Sequence, residues 1–216
     1  MPTFIKINKD QFINAVLCPL IFFFIALTII GIGSEGPLLM QYDQIAVKEG
    51  QWWRILSAHF THSTWNHFFL NMLGLGIMAV MFAQVATVFR WIAIMLFGSL
   101  FCSLGFFLFG ADDYAYVGMS DVLHGVIIAF AFLDYKHFKF GNFILITGTL
   151  GKVIWEQTPY YVETSGEFIG GRVATESHFY GAISGLMMGL FFLWLEKHKQ
   201  TANMSETSLS TVEPRS

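Results

Sequence analysis

The chain has 216 residues, of which 55% are hydrophobic and 12% charged, with a net charge of −3 and a mean hydropathy of +0.57. A soluble domain carries about 25% charged residues, so this composition argues against a water-soluble globular protein. The small negative charge and the lack of a basic stripe exclude nucleic acid as an expected partner.

Six apolar segments follow one another along the chain, at residues 12–32, 66–88, 91–109, 118–133, 140–155 and 179–195. Only helices and closed barrels satisfy the backbone in lipid, so the pattern predicts an all-α membrane protein with six transmembrane helices. The first segment is longer than a signal-peptide core of roughly 7–15 residues, which indicates a retained span.

The segments divide the chain into an N-terminus (1–11), a six-helix membrane domain (12–196) and a tail (197–216). The tail is rich in Ser, Thr and Glu and is expected to be disordered. Cys18 and Cys102 lie in different apolar segments, which favours packing roles over a disulfide.

The distribution of basic residues predicts the orientation in the membrane. An internal N-terminus places eight of the twelve Lys and Arg residues inside: Lys6, Lys9, Arg90, Lys136, Lys139, Lys197, Lys199 and Arg215. The other four, Lys48, Arg54, Lys152 and Arg172, lie outside or at outer helix ends. Both termini are therefore expected to be cytoplasmic.

Ser120 and His178 are predicted to lie at similar depths near the outer ends of the fourth and sixth spans. With a rise of ~1.5 Å per residue and a hydrocarbon core of about 30 Å, both lie roughly 5–10 Å below the outer surface. Polar groups are costly in lipid, so the pair suggests a serine nucleophile and its base. The alternative is a capping or packing serine and an interfacial histidine.

Gly118 permits tight backbone geometry before Ser120, whose helix start offers free N–H groups to an oxyanion. His67 and Asn71 are four residues apart on one face of the second span. They can donate hydrogen bonds to an oxyanion, or they can form a structural hydrogen-bonded pair between helices.

Three further residues are candidates for supporting or gating roles. His124 lies one turn below Ser120 and could orient the base. Lys152 and Glu156, four residues apart, could form a self-neutralising ion pair or gate the substrate. A metal site is the other hypothesis for the histidines at positions 59, 62, 67, 124 and 178, but His59 and His62 lack an acidic partner at zinc-helix spacing. We expect no metal and no cofactor.

The motifs together resemble the rhomboid family of intramembrane serine proteases. They are Trp53-Arg54, His67-x-x-x-Asn71, Gly118-x-Ser120 and His178-x-x-Gly181-x-x-x-Gly185, in the order of that family over residues 50–190. The resemblance implies a catalytic Ser120–His178 dyad without an acid. It also implies that His67 and Asn71 assist the oxyanion hole.

Leu123-His124-Gly125 is most similar to the rhombosortase branch, because most other rhomboids have a tyrosine at the position of His124. This implies a protease in the bacterial inner membrane, with its active site facing the periplasm, that removes C-terminal Gly-Gly sorting anchors from exported, membrane-anchored proteins. Asp121 departs from the small residue usual in the family. Its side chain is expected to point away from Ser120, while its negative charge lies near the oxyanion site.

Three alternatives remain open from the sequence. The chain could be a general rhomboid protease with other clients, or a catalytically weak relative that binds membrane clients. A transporter or channel is the third, but the inner halves of the predicted spans contain few polar residues to line a path.

Overall fold

The computed structural model describes residues 8–210, with side chains through residue 204. Residues 1–7 of the predicted N-terminal segment and 211–216 of the predicted tail lie outside this range. The helices are α1 (Lys9–Gly31), α2 (Glu35–Met40), α3 (Gln44–Lys48), α4 (Arg54–Ser57), α5 (Trp65–Met81), α6 (Val88–Phe109), α7 (Ser120–Asp134), α8 (Lys139–Glu156), α9 (Gly166–Ile169) and α10 (Thr175–Ser210). A 3₁₀ turn (Ala58–Phe60) follows α4, and two short strands, β1 (Tyr42–Asp43) and β2 (Ala115–Tyr116), pair antiparallel.

Each predicted apolar segment corresponds to one long helix, but the helix of the second segment, α5, is shorter than expected. It ends at Met81 rather than at residue 88, because a turn precedes Thr87, whose hydroxyl accepts the backbone N–H of Arg90 and starts α6. Such caps satisfy the free donors at a helix start. Apolarity alone could not show this boundary, since the turn residues are themselves apolar.

The last helix is longer than its predicted span. It continues through residue 210, whereas the composition predicts disorder from residue 197. Extending an existing helix adds one hydrogen bond for each residue fixed, which is much easier than starting a new one. The polar residues from 197 onwards therefore extend a helix that already exists, and a prediction from composition alone does not take this into account.

Helix α7 lies at the centre of the bundle and packs against α5, α6, α8 and α10. Its residues Val122, Val126, Ile128, Ala129 and Phe130 have no exposed surface. The ring of Phe130 lies 4.8 Å from that of Trp91 in α6. Ser120 is therefore held at the end of the most enclosed helix of the bundle.

The outward surfaces of the other long helices are apolar. Their exposed side chains include Phe24 in α1, Leu73 in α5, Leu108 in α6, Phe140 in α8 and Leu190 in α10. Contiguous apolar surface of this extent is unusual in a soluble monomer and suits contact with lipid. Within the described residues, Lys9–Gly31, Val88–Phe109 and Thr175–Met204 are long and apolar enough to cross a membrane. The count of six spans stays a prediction.

Helices α7 and α10 approach each other through glycine. A Cβ atom added at Gly181 would lie 1.8 Å from the carbonyl oxygen of Asp121, and one at Gly185 would lie 2.3 Å from that of Gly125. Small residues that let helix backbones touch are a common means of packing in membranes. This contact fixes the position of His178 relative to Ser120.

The segment between α1 and α5 is tied together by the buried Arg54. Its guanidinium donates to the carbonyl oxygens of Leu38 (3.0 Å) and Gln41 (2.8 Å) and to the side chain of Gln51 (2.7 Å). The pairing of β1 with β2 then connects this segment to the loop that precedes Ser120.

Candidate active site

Ser120 and His178 are brought together where the N-terminal ends of α7 and α10 meet. The Oγ atom of Ser120 lies 3.1 Å from Nε2 of His178. His178 is buried, so its imidazole is shielded from bulk water. A hydroxyl and an imidazole nitrogen within hydrogen-bond reach form the basic arrangement of a serine nucleophile and its base.

Gly118 shapes the turn before Ser120. Its φ of +126° is rarely adopted by other residues, and a Cβ here would lie 2.7 Å from Nε2 of His67. Its N–H donates to the carbonyl oxygen of Ala58 at 3.1 Å. Glycine is required at this position both by the backbone conformation and by the closeness of the His67 ring.

His67 and Asn71 lie on the α5 side of the same site. His67 Nδ1 is 3.2 Å from the hydroxyl of Ser63, and the Asn71 side-chain amide nitrogen is buried with no hydrogen-bond partner among the described residues. A buried donor without a partner is costly unless something else satisfies it. Both side chains line the same cavity as Ser120, so they are available to a bound group.

Ser63 is a site residue that the sequence did not indicate. Its hydroxyl donates to the carbonyl oxygen of Ile169 at 2.8 Å, which also accepts the Thr64 hydroxyl at 2.9 Å, so the Ser63 oxygen can accept from His67 Nδ1. This puts the proton of a neutral His67 on Nδ1, and Nε2, which faces Gly118, becomes a donor when the Ser63 hydroxyl turns from Ile169 to Nδ1. No sequence signal points to Ser63, because α9 is distant from it in the sequence and contacts it only in the folded protein.

The structure places an acidic side chain on the other nitrogen of the candidate base. Glu156 Oε2 lies 2.9 Å from His178 Nδ1, and Glu156 Oε1 accepts a hydrogen bond from Lys152 Nζ at 2.6 Å. The arrangement therefore differs from the dyad without an acid that the resemblance implied. The sequence spacing showed the Lys152–Glu156 pair but not that α10 brings His178 against it.

His124 packs directly on the candidate base. The two imidazole rings are stacked with centroids 4.2 Å apart. His124 Nδ1 is 2.6 Å from the carbonyl oxygen of Ser120, and its Nε2 is 3.1 Å from Lys152 Nζ. The supporting position predicted for His124 is thus the one it occupies.

Asp121 points away from Ser120 into the protein interior. Its side chain is fully buried, and Oδ2 lies 2.8 Å from Nδ1 of His59 in the 3₁₀ turn. Nε2 of His59 lies 3.0 Å from the Ser103 hydroxyl in α6. Asp121 thus differs from the small residue that is usual in the family, and its carboxylate lies beside a buried histidine.

The histidines do not gather into one metal cluster. His62 packs edge-on against His67 at 5.0 Å, and burial, with a smaller effect of His67, lowers its pKa to about 3, so it is neutral at pH 7. Donor atoms of His124, Glu156 and His178 do lie within 4.8 Å of one another. The Lys152 ammonium contacts two of the three, which favours an ion-pair network over a metal at this position.

Two cavities meet at Ser120 and His67. One of about 440 Å³ opens between α5 and α8 and is lined by mostly apolar side chains together with Asn71, His124, Lys152, Glu156 and His178. The other, of about 260 Å³, lies towards the loop containing Arg172 and is lined by more polar groups such as Gln41 and Ser63. An extended chain could pass from one cavity to the other across the Ser120 hydroxyl.

Two comparisons with known proteins find similar sequences over most of the chain. A family model described as Rhomboid domain matches residues 49–195, a range that contains Ser120 and His178. A Bacillus subtilis (strain 168) protein named "Putative rhomboid protease YdcA" is 22% identical over 156 residues. That match covers 72% of this chain and 74% of the other protein.

Proposed function

Because the chain belongs to the rhomboid family, an integral membrane family of serine proteases, we propose that Ser120 is the nucleophile and His178 the base of an intramembrane endopeptidase. The observation that carries the proposal is the 3.1 Å contact between Ser120 Oγ and His178 Nε2. Ser120 attacks a peptide carbonyl while His178 takes its proton and then protonates the leaving amine. Water then hydrolyses the acyl-enzyme with His178 again as base.

His67 and Asn71 are proposed to stabilise the oxyanion, together with the free N–H groups at the start of α7. The support comes from the unpartnered Asn71 amide and from the position of His67 Nε2 beside Gly118. The Asn71 amide is in place before the substrate arrives, whereas His67 becomes a donor at Nε2 when the Ser63 hydroxyl turns from Ile169 to Nδ1.

We expect His67→Ala and Asn71→Ala each to lower kcat by about 10²–10³-fold, because one oxyanion donor is lost. KM should change little, since the donors act mainly on the transition state. Cleavage rates of a single-span substrate by purified protein measure this. Asn142→Ala, which alters a buried asparagine bonded to Asp134 far from Ser120, is the control. Equal rates for Asn71→Ala and Asn142→Ala would contradict the role.

The same proposal includes the class of substrate and the membrane in which the enzyme acts. Six spans with cytoplasmic termini would place Ser120 near the periplasmic side of a bacterial inner membrane, where the enzyme removes a C-terminal Gly-Gly anchor. Two features support this. A Gly pair weakens a client helix by roughly 1 kcal/mol per residue, which favours an extended chain. The two cavities share Ser120 and His67 in their linings, and a backbone with small side chains would pass between these residues most easily.

The decisive test is to co-express an exported Gly-Gly-tailed client with the wild-type protein or with Ser120→Ala and to sequence the mature C-terminus by mass spectrometry. We expect a cut beside the glycines with the wild type and an intact tail with Ser120→Ala. A client with Gly-Gly replaced by Leu-Leu is the matched control. An intact tail in both strains would contradict the sorting role. Cleavage of other single-span proteins would then identify a general rhomboid protease.

A further inference from the structure

Five residues, one of them Ser120 itself, form a closed ring of polar contacts. It runs from the Ser120 hydroxyl to His178 (3.1 Å), Glu156 (2.9 Å), Lys152 (2.6 Å), His124 (3.1 Å) and back to the Ser120 carbonyl oxygen (2.6 Å). Three helices contribute to it. Ser120 and His124 come from α7, Lys152 and Glu156 from α8, and His178 from α10.

The chemistry of the ring members determines the direction of each hydrogen bond. A lysine ammonium only donates, and a carboxylate or a carbonyl oxygen only accepts. His124 must therefore accept from Lys152 at Nε2 and donate from Nδ1 to the Ser120 carbonyl. His178 must donate from Nδ1 to Glu156, which leaves Nε2 without a proton.

The tautomer assigned in this way is the one that a base requires. With its proton on Nδ1, His178 presents a lone pair at Nε2 to the Ser120 hydroxyl. When Nε2 takes the serine proton, the imidazolium that forms lies against the ionised Glu156 carboxylate. The proton later leaves Nε2 with the amine, and Glu156 stays ionised throughout.

We propose, on the basis of the function proposed above, that Glu156 is the acidic positioning residue of a Ser120–His178–Glu156 triad and that Lys152 holds its carboxylate in place. The Lys152 and Glu156 charges cancel, which reduces the cost of an acid at this depth. The Glu156 side chain is buried, whereas that of Lys152 is half exposed at the cavity. If the Lys152–Glu156 ion pair only neutralised two charges, the second carboxylate oxygen of Glu156 would not have to contact His178.

The charged and titratable groups that face His178 come from three helices. They are Glu156 and Lys152 from α8, His124 from α7 and His67, across the cavity, from α5. Among them, Glu156 is the acid in contact with an imidazole nitrogen of His178. The positioning role is therefore assigned to this residue and to the lysine that binds it.

The test is the steady-state cleavage of a single-span substrate by Glu156→Gln in proteoliposomes. Glutamine keeps the size of the side chain and loses the charge, and we expect kcat to fall by about 10²–10⁴-fold with KM within a few-fold of the wild type. Glu156→Asp should recover part of the rate. Glu176→Gln is the matched control, because Glu176 forms a similar i,i+4 pair with Arg172 but does not contact His178.

Two further measurements separate positioning from a structural role. The melting temperature of Glu156→Gln should stay near that of the wild type, because the Lys152 side chain is half exposed and its ammonium keeps access to water. The variant Lys152→Met/Glu156→Gln removes both charges and leaves no unpaired ammonium. It should fold, shown by an unchanged melting temperature, and should lose as much kcat as Glu156→Gln alone.

Each contrary outcome has a distinct meaning. Wild-type rates in Glu156→Gln, or a loss of kcat no larger than that of Glu176→Gln, would overturn the triad. Inactivation by EDTA with recovery in Zn²⁺ would overturn it too and assign the cluster to a metal. Ser120→Ala in the same assay tests the proposed function separately. Residual cleavage there removes the assignment of Ser120 as the nucleophile, whereas an inactive Ser120→Ala with a fully active Glu156→Gln removes only the triad.

Discussion

Ser120→Ala and His178→Ala should each reduce cleavage to background, a loss of about 10⁶-fold in kcat, and the double variant should be little worse than either. The two groups act as a unit, because the hydroxyl is a weak nucleophile until Nε2 of His178, 3.1 Å away, removes its proton. Once one member is gone, the other has nothing left to contribute. Initial rates on a single-span substrate, with product masses, measure the effect.

The control for these variants is Ser99→Ala, which replaces a buried serine of α6 away from both cavities. It should keep the wild-type rate, and all four variants should insert into the membrane and melt at similar temperatures. If Ser120→Ala retained substantial proteolysis at wild-type stability, Ser120 would not be the nucleophile. If the loss of kcat in the double variant equalled the product of the two single losses, the two residues would act independently.

Gly181→Ala should abolish activity and lower the melting temperature strongly. Its new methyl group would lie 1.8 Å from the carbonyl oxygen of Asp121, which is backbone and cannot rotate away. Helices α7 and α10 would have to separate, and His178 would move with α10. A shift of about 1 Å in reacting groups can cost 10²-fold in rate, and overpacking typically costs a further 1–3 kcal/mol of stability.

Gly148→Ala is the matched control, because it places a methyl group on α8 where no other atom lies within 4 Å. Alanine is the better helix former, so this variant should be as stable as the wild type and as active. Thermal melting and cleavage rates of both variants in the same detergent give the comparison. A fully active Gly181→Ala would show that the close helix contact does not set the geometry of the site.

The helices were predictable from the sequence because each of them contains a long continuous run of mostly apolar residues. The ends of α7 and α8 differ from the predicted spans by only a few residues, since both are bounded by polar or glycine-containing loops. The end of α5 and the continuation of α10 were not predictable. The first depends on a threonine cap within an apolar stretch, and the second on helix propagation into a polar segment.

The candidate site was predictable where depth in the membrane or spacing along a helix carries the information, and not where it depends on how the side chains of two helices pack. Ser120 and His178 could be paired by their matched depth, and His124 by its spacing from Ser120. The contact of Glu156 with His178 depends on how α8 and α10 pack, which no local spacing contains. From the sequence, Glu156 is therefore interpreted as the ion-pair partner of Lys152 or as a gating residue, and not as the partner of His178.

The buried pair between Asp121 and His59 limits how the sequence next to the nucleophile can change over evolution. Replacing Asp121 alone with a small residue would remove the carboxylate that lies 2.8 Å from the buried Nδ1 atom of His59 and would destabilise the protein. Replacing His59 alone would leave a buried carboxylate unpaired, which costs more. The two positions are therefore epistatic, and a mutational path to the usual small residue at position 121 must pass through a destabilised intermediate or change both codons together.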